Sequence, residues 1–544
     1  MLYQLTCVFT MALRLIALFA LAVAQGRSAS LPASDCSPTR LTVPAIKGIQ
    51  ILSTEAHSVK NYTFVDATVA NATAADFFDF CNVTIIYSHP GWNDKVQLTT
   101  YLPENWNGRF LALGGAGMAA GGEALLHSES PITALMRLKY AISTTDAGHT
   151  SDMMEAMNPD PAWVFTSPGN INYPLLINFA SRAVHDMAVL GKALVQTAYG
   201  SAPKYSYFFG GSTGGMQGHM LAQRYPQDFN GIVAYKPGIN WVKSYFSNAF
   251  AKLTMDVAGQ YPSPCELDAL SAAAVAACDE LDGVKDGIIS RPGLCTFDPR
   301  TLAGKAFDCK GVPSKFSNIS TQVAHATYTG PTSPSGEFRW HGFSKDVGLH
   351  ADGTGPAALD CPATGGTCSA VSFHMSETWL RYYFAKDASL NLKNLTREQF
   401  DDLFLTGVNE YESIIGAADP DLSRFRKAGG KMLSWHGMTD QFVPVNGSTD
   451  YYDRVLAKDS KAQDFYRLFL APGADHIGTG ITVSDEESFN YIVNWVENGN
   501  ANETLRAAGK TGLGVPAKRN LCMYPRVQHY ITGDPSVPSS FTCV

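Results

Sequence analysis

The stretch that most constrains the fold of this chain runs from Tyr205 to Tyr225. It begins with an aromatic, strand-like run, Tyr205-Ser206-Tyr207-Phe208-Phe209, breaks at Gly210-Gly211-Ser212-Thr213-Gly214-Gly215, and resumes as a helix-compatible segment. A strand that enters a helix through such a turn needs small residues, because the backbone there is strained and closely packed. The sequence therefore predicts a strand–turn–helix unit with one serine, Ser212, at its apex.

Ser212 lies in a G-x-S-x-G pattern, which in this context is typical of the nucleophile elbow of α/β-hydrolases. The alternative is an ordinary glycine-rich turn, but the flanking strand and helix favour the elbow. The N–H of Thr213 would then lie at a helix start, where an oxyanion can be held. We expect the second oxyanion donor in the loop 114–117 and predict Gly115 or Ala116, between which the sequence does not decide.

Short apolar segments alternate with helical patterns along much of the chain, which indicates a mostly parallel sheet with helices on both faces. We predict an α/β-hydrolase core formed by residues 25–237 and 426–544. Residues 238–425 contain six of the ten cysteines expected in the mature chain, and they are predicted to be an inserted lid domain. The strand candidates are residues 109–113, 140–144, 205–209, 231–235, 431–435 and 465–470.

The N-terminus indicates secretion. An apolar run follows Arg14 and ends in Ala22-Val23-Ala24, so residues 1–24 are predicted to be a signal peptide rather than a membrane anchor. Ten cysteines remain after its removal, and an even number in a secreted chain predicts disulfides. We expect the cell exterior, with the cell wall or vacuole as alternatives. The glycosylation sequons are Asn61, Asn71, Asn82, Asn318, Asn394, Asn446 and Asn502.

Two loops offer partners for Ser212, because α/β-hydrolases supply an acid and then a histidine after later strands. Asp440 follows the strand candidate at 431–435, and His476 follows the one at 465–470. We predict Asp440 as the acid and His476 as the base, with Asp475 as the alternative acid. The weaker candidates for the base are His149, His219 and His436.

An acidic loop, residues 278–289, has carboxylates at Asp279, Asp282 and Asp286 around two glycines. Hard oxygen ligands on a tight loop suit Ca²⁺, although the EF-hand spacing is absent and an acidic surface turn is the alternative. We expect a structural role for any calcium bound here. The net charge of −8 is spread without a basic cluster, which gives no indication of a nucleic-acid partner.

Together these motifs resemble the tannase and feruloyl esterase family. The resemblance covers most of the mature chain: the elbow at 210–215, the run 225–232, the cysteine-flanked acidic loop, His436-Gly437 with Asp440, Pro472-Gly473 with His476, and the ending at 541–544. It implies a lid that selects the acyl group and Ca²⁺ held by Asp279, Asp282, Asp286 and the carbonyls of Val284 and Ile288. The disulfides it implies are Cys36–Cys81, Cys278–Cys295, Cys361–Cys368 and Cys522–Cys543, which leaves Cys265–Cys309.

One departure from the family concerns the site itself. The family places a cysteine directly before the serine and another directly after the histidine, whereas this chain has Gly211 and Ile477. Both halves of that disulfide are missing together, and we expect packing to hold the histidine loop instead. Met216 replaces the arginine usual after the double glycine.

The predicted function is that of a secreted serine carboxylic ester hydrolase, in which Ser212, His476 and Asp440 act through an acyl-enzyme. Because of these departures we expect a divergent member, acting on small-molecule esters of aromatic or small secondary-metabolite acids, with no membrane association after signal cleavage. The alternatives are a peptidase or acyltransferase on the same fold, or a non-catalytic calcium-binding glycoprotein. The sequence does not indicate an oligomeric state.

Overall fold

The computed structural model describes residues 29–62, 78–121, 137–149, 161–362 and 366–544. The predicted signal peptide and the Asn71 sequon lie outside the described residues. Within those ranges, no helix is both long and apolar enough to cross a bilayer.

A nine-stranded sheet forms the centre of the molecule. Its strands in chain order are β1 (Gln50–Tyr62), β2 (Phe78–Ser88), β3 (Val96–Pro103), β4 (Arg109–Leu113), β5 (Ala141–Thr145), β6 (Tyr205–Gly211), β7 (Gly231–Tyr235), β8 (Lys431–Gly437) and β9 (Tyr466–Ala471). The spatial order is β9-β8-β7-β6-β4-β5-β3-β2-β1. The six strands from β9 to β5 are parallel, and β3, β2 and β1 continue the sheet antiparallel.

Eight longer helices accompany the sheet and the insertion in the described part of the chain. They are α1 (Ala183–Tyr199), α2 (Thr213–Arg224), α3 (Trp241–Ala258), α4 (Pro264–Cys278), α5 (Asn318–Thr329), α6 (Arg397–Ile415), α7 (Val445–Lys458) and α8 (Asp485–Asn498). Helices α4 and α6 both begin with a capping box. The side chains of Ser263 and Thr396 accept hydrogen bonds from backbone N–H groups in the first turn of these helices.

The parallel strands bury side chains on both faces of the sheet. In β4, Phe110 and Ala112 join the core beneath α1 and α2, whereas Leu111 and Leu113 join the core beneath α8. Side chains alternate between the faces of a strand, so a run that is apolar throughout requires cover on both sides. The predicted arrangement, a mostly parallel sheet with helices on both faces, is therefore the one observed.

The chain leaves the sheet after β7 and returns at β8, its direct parallel neighbour. Residues between these strands include α3 to α6. Part of this insertion forms an apolar core of its own, with members such as Met255, Leu267 and Val323, whereas α6 packs into the core of the sheet through Phe400 and Phe404. After α8 a short antiparallel sheet follows, made of β10 (Ile481–Thr482), β11 (Thr504–Lys510) and β12 (Pro516–Cys522).

Five disulfides join Cys36–Cys81, Cys265–Cys309, Cys278–Cys295, Cys361–Cys368 and Cys522–Cys543. These are the same pairs that the family resemblance implies. Three of the five lie within the insertion.

Candidate active site

Ser212 lies at the sharp turn between β6 and α2. Its backbone has φ 56° and ψ −115°, an unfavourable conformation for a residue with a side chain. The turn is closed by two backbone bonds, from the N–H of Ser212 to the carbonyl of Tyr235 and from Met216 to the carbonyl of Ser212, both 3.0 Å long. The strained turn is the geometry expected of a nucleophile elbow.

Glycine is required at Gly214 and Gly211 for different reasons. The N–H of Gly214 donates to the carbonyl of Gly115 at 2.9 Å, and a Cβ on Gly214 would lie 2.9 Å from that same oxygen. A Cβ on Gly211 would lie 2.4 Å from the ring of Tyr235 on the neighbouring strand β7. Tyr235 therefore fills the space into which a side chain at position 211 would extend.

Asp440 lies just after β8 and is fully buried. Its Oδ1 accepts the backbone N–H groups of Phe442 at 2.8 Å and Val443 at 2.7 Å. Its Oδ2 contacts two imidazoles, His476 Nδ1 at 2.6 Å and His436 Nε2 at 3.1 Å. Burial alone would raise the pKa of Asp440, but the two imidazoles hold it well below its usual range, so the carboxyl is ionised.

His476 lies on the loop after β9 and is partly exposed, with its Nδ1 on Asp440. Because Nδ1 contacts a carboxylate, the ring carries its proton there, which leaves Nε2 able to accept a proton. Ser212 and His476 line the same cavity, although the described residues include no hydrogen bond between the two side chains. Such contacts are often long before substrate binds.

The loop of His476 is held by packing and by hydrogen bonds, since Ala474 is buried in the core and the ring of His476 lies against Phe442. Ile477 is 63% exposed and makes no core contact. The N–H of His476 donates to Gln441 Oε1 at 3.0 Å, and Lys236 Nζ donates to the carbonyl of His476 at 2.8 Å.

The remaining acid and base candidates have other partners. Both carboxylate oxygens of Asp475 bond Thr479, so this residue stabilises its own loop rather than the imidazole. His219 is buried and His149 is half-buried, and desolvation of each ring lowers its pKa to about 4. His436 contacts Asp440 through Nε2 at 3.1 Å, bonds Ser448 Oγ at 2.8 Å through Nδ1, and does not line the cavity beside Ser212.

The N–H groups predicted to bind the oxyanion differ in whether they already have a hydrogen-bond acceptor in the structure. The N–H of Gly115 donates to Gln217 Oε1 at 2.9 Å, and that of Ala116 donates to the carbonyl of Ala119 at 3.1 Å. Both N–H groups of the predicted pair therefore have acceptors in this structure, and the choice between Gly115 and Ala116 stays a prediction. Within the described ranges the N–H groups of Thr213 and Gly117 have none, and both residues line the cavity beside Ser212.

The cavity in front of Ser212 has a volume of about 530 Å³. Four aromatic side chains dominate its wall: Trp241, Tyr245, Phe373 and Phe442. Much of the remaining lining comes from the insertion between β7 and β8, at positions that the sequence did not predict: Ser244, Gly353, Thr354, Gly355, Ala358, Val371, Ser372, His374 and Met375. Among the described lining residues there is no Asp, Glu, Lys or Arg. Burial lowers the pKa of His374, so its ring is neutral near pH 7.

The predicted calcium loop contains three buried carboxylates, Asp279, Asp282 and Asp286. Asp279 accepts backbone N–H bonds from Asp286, Gly287 and Ile288. One oxygen of Asp282 and one of Asp286 are buried without a partner, and a single cation, Arg519, contacts Asp286 at 2.8 Å. Within the described residues, no group of three or more His, Cys, Asp or Glu side chains is arranged to hold a metal ion.

Comparison with known proteins identifies the relatives of this chain. The family model described as tannase and feruloyl esterase matches residues 81–544. A probable feruloyl esterase of Arthroderma benhamiae is 37% identical over 474 residues, which cover 86% of each chain. Mono(2-hydroxyethyl) terephthalate hydrolase of Piscinibacter sakaiensis is 29% identical over 527 residues, covering 88% of this chain and 87% of that protein.

The fold has close counterparts among solved structures. Tannin acyl hydrolase from Aspergillus niger matches with a TM-score of 0.79 at 24% identity, over 95% of this chain and 96% of that chain. Feruloyl esterase B from Aspergillus oryzae matches with a TM-score of 0.73 at 24% identity, over 92% and 98% of the two chains. The predicted α/β-hydrolase fold is thereby confirmed.

Proposed function

Because the chain belongs to the tannase and feruloyl esterase family and is a carboxylic ester hydrolase, we propose that Ser212, His476 and Asp440 are its catalytic triad. The observation that carries this proposal is the 2.6 Å contact between His476 Nδ1 and buried Asp440, beside a cavity that Ser212 shares with His476. An ionised acid, an oriented imidazole and a serine on a strained turn are the groups that acyl transfer requires.

The mechanism follows from the roles of these groups. Ser212 Oγ attacks the ester carbonyl as its proton passes to His476 Nε2, and Asp440 stabilises the imidazolium that forms. The imidazolium then protonates the leaving alcohol as the C–O bond breaks, which leaves an acyl-serine. Water, deprotonated by His476, hydrolyses the acyl-serine to the free acid and regenerates Ser212. We assign the oxyanion to the N–H groups of Thr213 and Gly117, which have no acceptor among the described residues.

The cavity supports an uncharged aromatic or other apolar acyl group as the substrate class. Trp241, Tyr245, Phe373 and Phe442 offer flat apolar surfaces, and Phe373 stacks on Phe442 with ring centroids 4.5 Å apart. Without a cation in the described lining, a carboxylate on the acyl group would lose hydration and gain no partner. Hydroxyl substituents could donate to Ser244, Ser372 and Thr354, because each of these hydroxyls already donates its own proton elsewhere and is left to accept.

A serine-reactive fluorophosphonate tests this function. The wild-type protein should be labelled at Ser212, as located by peptide mass spectrometry, and should hydrolyse aromatic esters without an acceptor alcohol. Ser212→Ala should lose both properties, whereas Ser244→Ala should remain labelled because its hydroxyl contacts the carbonyl of Ile239. Absence of labelling on folded wild-type protein, or equal turnover by Ser212→Ala, would rule out the proposed triad.

We also propose that the acidic loop binds Ca²⁺ through Asp279, Asp282, Asp286 and the carbonyls of Val284 and Ile288. Support comes from the unpartnered buried oxygens of Asp282 and Asp286, since buried carboxylates require a counter-charge. When bound, the ion would supply structural cross-linking rather than an activated water. In this proposal the three side chains and the ion fix the acidic loop, which follows α4 and contacts β12 through Asp286 and Arg519.

Secretion and glycosylation remain proposals as well. Five disulfides are typical of an oxidising compartment, which supports export through the secretory pathway. The sequon asparagines with exposed side chains are Asn61, Asn318, Asn394 and Asn502, whereas Asn82 and Asn446 are half-buried. Glycopeptide mass spectrometry of the secreted protein should find glycans at the four exposed positions, and unmodified peptides there would contradict the proposal.

A further inference from the structure

The main chain of His476 needs external support. Its loop is glycine-rich and exposed, with positive φ angles at Gly478 and Gly480, and Ile477 is open to solvent. No cysteine occurs between residues 472 and 480, so no disulfide can hold the loop. The carbonyl of His476 has a donor on another element, which is the ammonium of Lys236 at 2.8 Å.

Lys236 is unusual for a lysine in both burial and backbone. It is 7% exposed, and burial lowers the pKa of its ammonium. Its φ of 44° lies in the left-handed region, and its own N–H donates to the carbonyl of Trp435 at 2.8 Å. Such strain persists where surrounding contacts enforce it, and it is concentrated at functional sites.

The surroundings direct the ammonium of Lys236 toward the histidine loop. Nζ lies over the ring of Trp435, 5.2 Å from its centroid, at the end of the neighbouring strand. The acids that face it at longer range are Asp440, Asp475 and Asp485, yet Lys236 forms no ion pair within the part of the chain described. The carbonyl of His476 is the hydrogen-bond acceptor that the described residues provide for this buried charge.

We propose that Lys236 is a positioning residue for His476. The ammonium fixes the carbonyl of His476 while Gln441 fixes its N–H, so that the imidazole is held on Asp440 with Nε2 toward Ser212. Lys236 follows β7 directly, and the carbonyl of Tyr235 also bonds the N–H of Ser212. One short segment, 235–236, therefore contacts both the nucleophile turn and the base loop, in a chain that lacks a covalent link between them. This inference rests on the proposed triad.

The test compares two lysines with the same chemistry. Lys236→Met removes the ammonium but keeps an unbranched apolar side chain. Lys192→Met is the matched control. Lys192 lies on helix α1, burial lowers its pKa as well, and its ammonium donates to the backbone carbonyl of Asp228 at 2.7 Å. Both variants lose one buried ammonium–carbonyl bond, but only Lys236 contacts the base loop.

We expect Lys236→Met to lower kcat by about 10–100-fold with KM changed less than about threefold, since a small misplacement of a catalytic group has effects of this size. Lys192→Met should keep kcat within about twofold. Amide hydrogen exchange of peptide 472–480 should accelerate in Lys236→Met and remain unchanged in Lys192→Met. If Lys236→Met does not fold, Lys236→Gln, which is polar but too short to reach, should give the same loss.

Two results would overturn the inference. One is a kcat of Lys236→Met or Lys236→Gln within about twofold of the wild type, and the other is an equal loss of kcat in Lys192→Met. Failure of the triad proposal would have a different signature, since turnover by the wild-type protein would then not depend on Ser212.

Discussion

His436 lies 3.1 Å from Asp440, through the same carboxylate oxygen that contacts His476. The imidazole of His436 is fully buried, and its other nitrogen bonds Ser448 Oγ at 2.8 Å. Asp440 is therefore oriented by four donors: two backbone N–H groups and two imidazoles. A carboxylate held in this way has little freedom to rotate away from His476.

This arrangement predicts that His436 supports catalysis without touching substrate. His436→Phe should lower kcat by about tenfold with little change in KM, because Asp440 loses one of its orienting donors. His436→Gln should retain most of the activity, since its amide N–H can take the place of Nε2–H. Steady-state kinetics of variants matched for circular dichroism checks this, and equal activity of the wild type and His436→Phe would contradict it.

Asp440→Asn should lower kcat by about 10³–10⁴-fold while substrate binding changes little, because an amide favours the wrong tautomer of His476. Asp475→Asn is the control one residue away from that histidine, and it should keep activity within about threefold because Asp475 bonds only its own loop. An equal loss of kcat in Asp440→Asn and Asp475→Asn would mean that the substitutions act by disturbing the loop of His476, and not by removing the catalytic acid.

A negative charge on the acyl group should lower kcat/KM when two esters are otherwise similar in structure. Dimethyl terephthalate and monomethyl terephthalate share one ring and differ by a carboxylate, and we expect at least about tenfold higher kcat/KM for the uncharged diester. The reason is the absence of a cation among the described residues that line the cavity. Equal rates, or preference for the monoester, would show that a positive group reaches the acyl site.

Stability should depend on pH through His89, whose ring bonds Asp94 at 2.6 Å and Asp186 at 2.7 Å. Burial opposes its charge, but these bonds raise the pKa of His89 to about 9 and help to lower that of Asp94 to about 2. The contribution of His89 is complete below about pH 6.5 and is lost as pH rises toward 9, whereas that of Asp94 is lost as pH falls from about 4 toward 2.

Denaturant unfolding at pH 6 and pH 9 checks this dependence. The free energy of unfolding should fall by about 2–3 kcal/mol more in the wild type than in His89→Gln between the two pH values. The exposed variant His57→Gln should behave as the wild type does. An identical pH dependence in His89→Gln and the wild type would refute a charged His89.

Removal of calcium should destabilise the protein without acting on the chemistry directly. Dialysis against EDTA should lower Tm, and excess Ca²⁺ should restore it, with about 2–3 kcal/mol of stabilisation when the ion is at about a hundred times its Kd. Asp282→Asn should have a Tm that no longer responds to EDTA, whereas Asp268→Asn, on the exposed face of α4, should respond as the wild type does. A wild-type Tm unaffected by EDTA would remove the calcium proposal.

Much of the site could be predicted because its chemistry is encoded in short stretches. The turn at Ser212 depends on glycines within three residues of it, and Asp440 and His476 each follow an apolar strand directly. Chain order and local context therefore predicted two residues, Asp440 and His476, that the structure brings into contact, and their catalytic roles stay predictions. The disulfide pairs followed from the family resemblance.

The N–H groups without an acceptor, the part of the cavity wall from the insertion, and the donors to Asp440 and to the loop of His476 could not be predicted in the same way. Gly115 is bonded by Gln217, 102 positions away, and His476 is bonded by Lys236, 240 positions away. Contacts between residues this far apart in the chain cannot be predicted from the pattern of neighbouring residues.

The sequence by itself determined the fold class, the elbow and the order of serine, acid and histidine, because backbone geometry responds to neighbouring residues. Only the tertiary structure decided which N–H groups have no acceptor among the described residues, which side chains of the insertion line the cavity, and that Lys236 bonds the loop of His476 while His436 bonds Asp440. These depend on how strands β6, β7, β8 and β9 align side by side, since that alignment brings residues distant in the chain within hydrogen-bonding distance.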